Sequence, residues 1–446
     1  MTRRLLAVVL ISLSSAVSWA EERFPPPDFT SGHKLPVQPH PAAQAAFRGY
    51  GDMAVLAAAL VLATWLVLRK RSRRGVYALM VFSIAYFGFW RGGCVCPIGA
   101  IQNVAQALCD STFVLPLVVT VFFFLPLVFT LLFGRMYCAA VCPHGALQDA
   151  ILFKPLTVPA WLNHGLGLLA YLYLGLAVLF AATGSAYPIC EYDPFVALFR
   201  HSGTAGMLVL GGAFLVLGLF VGRPYCRYLC PYGAILRPLS LVSRNRVKIY
   251  PDRCIDCHLC DNACPFSAIH KTTHPELQQR RSPIGSRKLL VAFLVLLPVL
   301  VAGGAWLGSR LAAPLSRMHS TIRLAERIKL EEAGDVTDET DPGKAFRRTG
   351  RTPESLYADA GAIYRRFKTG SGWLGAWIGL VVGLKLISLA VRRRYTEYEA
   401  DRALCVACAR CFAYCPGEKG LLEQGNPGTC WTSNVSPDSA RGGATP

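Results

Sequence analysis

Residues 254–264 read Cys-Ile-Asp-Cys-His-Leu-Cys-Asp-Asn-Ala-Cys and are followed by Pro265. The same spacing returns at Cys405, Cys408, Cys411 and Cys415, followed by Pro416. Thiolates spaced Cys-x2-Cys-x2-Cys-x3-Cys-Pro wrap a [4Fe–4S] cubane: three close cysteines take one face and a fourth arrives from further along the chain. Two copies predict two such clusters and one-electron chemistry, with Cys254, Cys257, Cys260, Cys264, Cys405, Cys408, Cys411 and Cys415 as the iron ligands. Zinc also accepts four cysteines, but its structural sites are usually built from paired Cys-x2-Cys ribbons. Small and apolar neighbours (Ala263, Phe266, Ala268; Val406, Ala407, Ala409, Phe412) would exclude water, and burial with N–H···S bonds sets the potential. His258, inside the first loop, reads as a solvated spacer. In two-cluster ferredoxins the fourth cysteine of each run serves the other cluster. Carried over, this pairs Cys254, Cys257 and Cys260 with Cys415, and Cys405, Cys408 and Cys411 with Cys264; the alternative is two independent quartets.

A second cysteine pattern is duplicated. Arg135-Met-Tyr-Cys-Ala-Ala-Val-Cys-Pro-His-Gly-Ala146 and Arg223-Pro-Tyr-Cys-Arg-Tyr-Leu-Cys-Pro-Tyr-Gly-Ala234 each follow an apolar stretch. On a helix, Cys138/Cys142 and Cys226/Cys230 are i, i+4 pairs that present two sulfurs on one face. If the two halves pack around a pseudo-twofold axis, four thiols converge, which suits a further metal centre or a thiol relay. The bland reading is that Cys-Pro merely ends each helix. A degenerate third copy contains Cys94 and Cys96, which the topology below puts on the outer side with Cys109 and Cys190 as disulfide, metal or onward redox thiols.

The elements that must position these thiols are membrane helices. The chain of 446 residues is 53% hydrophobic and only 16% charged, unlike a soluble protein of its length. Residues 1–20 carry the basic start, apolar stretch and Ser18-Trp19-Ala20 site of a signal peptide. Seven apolar stretches follow, at 53–68, 76–90, 113–133, 162–181, 205–221, 289–308 and 373–391. Basic flanks (Arg69-Lys70-Arg71, Arg287-Lys288, Arg392-Arg393-Arg394) placed inside put segment 21–52 outside and both quartets in the cytoplasm. The expected order is then a membrane domain over 53–245, the first half of a ferredoxin-like module over 246–288, a membrane hairpin over 289–391 with outer loop 309–371, and the second half with its tail over 392–446. The fold class is mainly α, a polytopic bundle of about seven spans after a signal peptide, with a two-cluster module split by the hairpin. The net charge of +19 reads as a topology signal with some attraction to anionic lipid, not as a nucleic-acid surface. Few ionisable groups fall in the spans, which counts against a transporter.

Together the Cys-x3-Cys-Pro repeats and the two quartets resemble the NapH/NosR type of membrane-bound polyferredoxin, over roughly residues 76–270 and 373–416. That resemblance implies transfer of electrons between a quinol or cytoplasmic donor and a periplasmic flavoprotein or reductase, in the bacterial inner membrane. NosR-like members add an outer flavin-binding domain; here about 30 residues, 21–52, precede the first span and carry no Ser/Thr-Gly-Ala-Thr signal, so flavin is not expected in this chain. The charged stretches 317–333 and 353–367 of the outer loop are expected to be helical and suited to docking a partner. The chain reads as an electron-transfer component more than a self-standing enzyme. A redox-sensing or maturation protein and a quinol dehydrogenase are the alternatives.

Overall fold

Proline decides where these helices break. The residue before a proline is driven out of the α region, and in a computed structural model of the chain Cys96, Cys142 and Cys230, each followed by proline, are all extended (ψ 128°, 116° and 113°) and each opens a new helix. The structure describes residues 46–93, 96–249, 254, 257–270, 283–336, 338, 340–391 and 397–416. The expected signal peptide, Cys94 and Cys430 lie outside them.

In chain order the elements used below are α1 (Ala46–Leu68), α2 (Arg73–Ser83) running into a π-helical turn at Ile84–Trp90, α3 (Pro97–Cys109), α4 (Leu117–Phe133), α5 (Pro143–Ile151) and α6 (Leu169–Ala182). There follow α7 (Pro194–Arg200), α8 (Ala205–Gly218), α9 (Pro224–Tyr228), α10 (Pro231–Leu241), α11 (Leu259–Asn262) and strand β1 (Ile269–His270). The chain continues through α12 (Pro283–Arg310), α13 (Ser320–Glu332), α14 (Asp341–Arg348), α15 (Pro353–Ala390), β2 (Glu399–Ala400) and α16 (Arg410–Tyr414).

All seven apolar stretches are helical, but they are not seven equal spans. Among the described residues four helices are long and apolar enough to cross a membrane: Phe47–Leu68, Ala160–Ala182, Arg287–Arg310 and Pro353–Ala390. A fifth arises if α7 and α8, bent by 105°, count as one. Helix α4 is shorter, and α2 changes to π geometry after Ser83. The expected separation of a loop helix at 353–367 from a span at 373–391 also gives way. Here α15 is one helix of 38 residues, because the Gly370-Ser371-Gly372 stretch contains no proline and is packed on its neighbours.

The main core joins α1, α2, α3, α5 and α10 around fully buried Phe87, Phe195, Phe199, Tyr225 and Tyr232. It also includes Ala407, Ala409 and Phe412 from the second quartet. Large apolar side chains such as Val209, Val295, Val299 and Trp373 face outward, as lipid-facing residues do. Loop 309–371 is a helical cap: α13, α14 and the start of α15 share a small core of Ala325, Ile328, Phe346 and Leu356.

Helices α12 and α15 meet through glycine. A Cβ on Gly375 would collide with the carbonyl of Gly304, and one on Gly379 with the carbonyl of Leu300. The spacing Gly304/Gly308 against Gly375/Gly379 is the small-residue contact that lets membrane helices approach closely. Gly375→Leu is therefore expected to destabilise the hairpin by about 1–3 kcal/mol. Gly303→Leu, where a Cβ meets nothing within 4 Å, should leave the thermal unfolding midpoint in nanodiscs unchanged.

Candidate iron–sulfur site

Strand β1 follows the first quartet and β2 precedes the second; they pair antiparallel, Ile269 opposite Ala400 and His270 opposite Glu399. That pairing brings together halves separated by more than a hundred residues of sequence. Cys260 lies within electrostatic reach of Cys254, Cys257 and Cys415. Cys411 lies within reach of Cys405, Cys408 and Cys264, and Cys405 within reach of the same Cys408 and Cys264. Cys411 is also within reach of Cys260, so the strand pair brings cysteines of both quartets together.

Local backbone geometry turns amides toward these sulfurs. His258, Ser267, Ala407 and Ala409 all take positive φ, 57°, 49°, 53° and 60°, at positions where an L-residue is strained. The amide of Ala268 donates to Cys264 Sγ at 3.4 Å, and those of Asp261 and Ala407 point to Cys260 and Cys405. Burial pushes the Cys260 thiol up to about 11 and the Cys405 thiol up to about 12. Bare thiols here stay protonated at neutral pH, so binding a metal is what makes them thiolates. Four soft thiols, inward amides and an apolar surround (Phe266, Ala268, Val406) fit an iron–sulfur cubane. Among the described residues no three His, Cys, Asp or Glu side chains are grouped to hold one metal ion.

His258 is exposed, as a solvated spacer would be, but it also has a partner. Its ring Nδ1 is 2.8 Å from the Tyr398 hydroxyl, so it ties the first quartet to the segment before β2. Asp401 does the same work at the other end. Its Oδ1 accepts from the amides of Ala403 and Leu404 at 2.8 and 2.7 Å, and its Oδ2 sits 2.9 Å from His270 Nε2.

Arginines seat this module on the helices. Asp149 of α5 is buried and contacts Arg73, Arg223 (3.5 Å) and Arg410 (3.4 Å). Arg73 also donates to the Cys408 carbonyl (2.8 Å), Arg135 to that of Ala403 (3.1 Å) and Arg227 to that of Pro265 (3.2 Å).

The Cys-x3-Cys-Pro thiols lie just beyond. Cys138 packs on the same small cluster as Cys264, Cys405 and Cys408. Cys226 is within reach of Cys138, Cys142 and Cys230, so the two repeats do converge. They are not helical i, i+4 pairs, because Cys142 and Cys230 have left the helix ahead of their prolines. Sulfur-directed donors again appear: Gln148 Nε2 to Cys226 at 3.4 Å and the Gly233 amide to Cys230 at 3.3 Å. Cys96, expected across the membrane from this level, is instead within reach of Cys142. The cause is the break at Cys96-Pro97 and the pairing of α2 with the Tyr137–Val141 turn, where Ser83 donates to the Val141 carbonyl. A Cβ on Gly99 would stand 3.2 Å from Cys190, which extends the row of thiols; Cys109 is exposed at the far end of α3.

Three groups escaped sequence reasoning. His144 is fully buried beside Cys142, with Nε2 3.3 Å from Asp193, and rings from Phe195, Phe199 and Tyr225 enclose it. Asp149, Asp193 and His144 sit in connections between spans, where an apolar window does not register them. His144 was legible as the one variable position in Cys-Pro-x-Gly-Ala, occupied by Tyr232 in the second copy.

Helices of membrane length joined to a ferredoxin-like pair of cysteine quartets define a membrane-associated iron–sulfur protein of the electron-transport class. A family model described as a 4Fe-4S binding domain matches residues 114–161 and again 203–249, the two Cys-x3-Cys-Pro copies. A second model of the same description matches 247–270, the first quartet. The chain is 33% identical over 156 residues to YccM of Escherichia coli (strain K12), which is named for electron transport, covering 31% of this chain and 43% of that protein. It is 32% identical over 190 residues to an uncharacterized protein of Methanocaldococcus jannaschii, 41% of this chain and 77% of that one. With the regulatory protein NosR of Stutzerimonas stutzeri it shares 31% over 225 residues, 46% of this chain and 30% of NosR. The match therefore spans under half of YccM and of NosR. No solved structure matches. The chain belongs to the NapH/NosR type of ferredoxin-like membrane proteins.

The Asp401 turn is the most testable support of the site. Burial pulls its carboxyl upward, but the hydrogen bonds from His270, Leu404 and Ala403 outweigh that and hold it below the usual carboxylate range. The stabilisation is complete above the free value of about 3.9 and is lost as pH falls through the folded value. Asp401→Ala should cost about 1 kcal/mol and raise hydrogen exchange at the Ala403 and Leu404 amides. The acid-sensitive part of module stability should vanish with it.

Proposed function

We propose that this chain is a membrane electron carrier holding two [4Fe–4S] clusters, one on Cys254, Cys257, Cys260 and Cys415 and the other on Cys264, Cys405, Cys408 and Cys411. The observation that supports the reading is the β1–β2 pair, which brings Cys415 within reach of Cys260 and Cys264 within reach of Cys405 and Cys411. When bound, each cluster supplies one-electron storage at fixed position. The protein supplies the thiols, the inward amides, the exclusion of water and the arginine seat. The module is cytoplasmic, on the inner membrane, and is split by the hairpin 289–391. It connects a quinol or cytoplasmic donor with a periplasmic flavoprotein or reductase, and the cap within 309–371 is the docking element for that partner. Cys138, Cys142, Cys226, Cys230 and Cys96, with Cys94 beside it in sequence, form a further redox or metal station along the same route. Support for that station is the row of thiols leading from Cys138, which touches the quartet core, to Cys96. The name of NosR as a regulatory protein favours one second reading, a redox sensor whose clusters report state to a partner.

Purified protein should contain about eight iron atoms per chain, two cubanes, and show two reduced EPR signals. Cys264→Ser should erase the same signal as Cys408→Ser, and Cys415→Ser the same signal as Cys257→Ser. Loss of a common signal in Cys264→Ser and Cys257→Ser would mean independent quartets. The carrier and sensor readings separate in inverted vesicles: undiminished reduction of a periplasmic acceptor by Cys405→Ser protein would exclude the carrier.

A further inference from the structure

Cations gather beside one of the two thiol sets. Four guanidiniums face the set of Cys264, Cys405, Cys408 and Cys411. Arg73 donates to the Cys408 carbonyl at 2.8 Å. Arg135 donates to the Ala403 carbonyl at 3.1 Å and approaches Cys138 Sγ at 3.7 Å. Arg223, 1% exposed, acts on Cys408 and holds the carbonyls of Cys138 and Ala139. Arg410 stands in the chain between Cys408 and Cys411 and donates to the Asp149 carbonyl at 3.3 Å.

Three carboxylates oppose them: Asp149, 2% exposed, Asp401, already engaged by His270 and two amides, and Asp261, which acts on Cys264. Around the other set, the groups acting most strongly on Cys260 are the thiols of Cys257, Cys254 and Cys415 and the Asp261 amide. Cys257 is exposed.

Reducing a cubane adds one negative charge. Burial alone resists that charge, so the deeper set would be the harder to reduce. Nearby cations act the other way, and they act strongly where water is excluded. We propose that Arg73, Arg223 and Arg410, trimmed by the carboxylate of Asp149, raise the reduction potential of the Cys264/Cys405/Cys408/Cys411 centre, so that an arriving electron is held on the side facing the Cys-x3-Cys-Pro thiols. No bond forms and no proton is required: a single electron leaves one centre and occupies the other. The inference rests on the two-cluster reading above.

The test is a redox-poised EPR titration of the full-length protein in nanodiscs. Cys408→Ser identifies this centre's signal, and so its midpoint, by erasing it. Arg410→Gln should lower that midpoint and leave the other in place, and Arg410→Lys should restore it. If Arg410→Gln loses iron, Arg73→Gln on α2, outside the cysteine loops, carries the same expected sign. Asp149→Asn should move the same midpoint upward. Asparagine keeps an acceptor, and the carbonyls of Cys408, Cys138 and residue 149 still take donors from Arg73, Arg223 and Arg410, so iron content is read with the midpoint to show that the assembly stands. Opposite signs from the two charge removals separate an electrostatic role from loosened packing. Shifts of the same sign, or no shift, would overturn the inference while leaving two clusters standing. Wild-type protein with a single EPR centre would remove the two-cluster reading and the inference with it.

Discussion

Asp149 is the charge on which the assembly depends. It lies on α5 with its carboxylate out of water, and a buried carboxylate is tolerated only when it is paired and hydrogen-bonded. Its partners come from three distant places: Arg73 at the start of α2, Arg223 ahead of α9 and Arg410 at the start of α16. Removing the carboxylate would leave three guanidiniums facing one another, a worse imbalance than the loss of any one of them. Each arginine also spends donors on backbone carbonyls beside a cysteine, Cys408 for Arg73 and Cys138 for Arg223. One ion group thus fixes the ferredoxin-like module to the helices and both to the Cys-x3-Cys-Pro turns.

A second constraint is steric. A residue before proline is driven out of the helical region, so the Cys-Pro steps at Cys96, Cys142 and Cys230 each set a thiol at a helix N-terminus with extended backbone. Cys96, Cys142 and Cys230 share this conformation, and Cys415 before Pro416 has it too (ψ 117°). The following small residues keep the approach open. A Cβ on Gly145 would meet Arg223 Nη1 at 3.1 Å, and one on Gly233 would meet the Cys226 carbonyl at 3.3 Å. The repeated Cys-Pro-x-Gly therefore delivers a sulfur and clears space for the opposite repeat.

Much of the site was legible because its chemistry is local. Eight cysteines at fixed spacing announce themselves, and so do apolar stretches long enough to be helices. What was not legible depends on which turns meet in space. Hydropathy counted seven stretches, but a π-helical turn in α2, the 105° bend before α8 and the short α4 change what each can span. Cys96 was assigned by alternation to the opposite side from Cys142, an argument that treats each stretch as a full crossing. His258 looked idle because its partner, Tyr398, lies 140 residues away. The Gly304/Gly308 and Gly375/Gly379 spacing was present in the sequence and is the one packing feature a direct reading could have supplied.

The long α15 helix gives the split of the module a mechanical meaning. At 38 residues it extends about 57 Å at 1.5 Å per residue, well beyond a hydrocarbon core of about 30 Å. Its first turns belong to the cap core through Leu356, its middle is locked to α12 by glycine contacts, and Trp377 donates to the Tyr171 carbonyl of α6 at 3.2 Å. It ends at Ala390, nine residues before β2 begins at Glu399. No proline interrupts it, and it runs unbroken from Pro353 to Ala390. A displacement of the cap relative to α6 must then be taken up either in the glycine contact or at β2, because close-packed helix surfaces do not deform smoothly. The β1–β2 pair is two residues long on each side, while the α12–α15 contact is continuous from Gly304 to Leu300 against Gly375 to Gly379. The weaker joint is the strand pair, which is also the joint that brings Cys264 to Cys405 and Cys408.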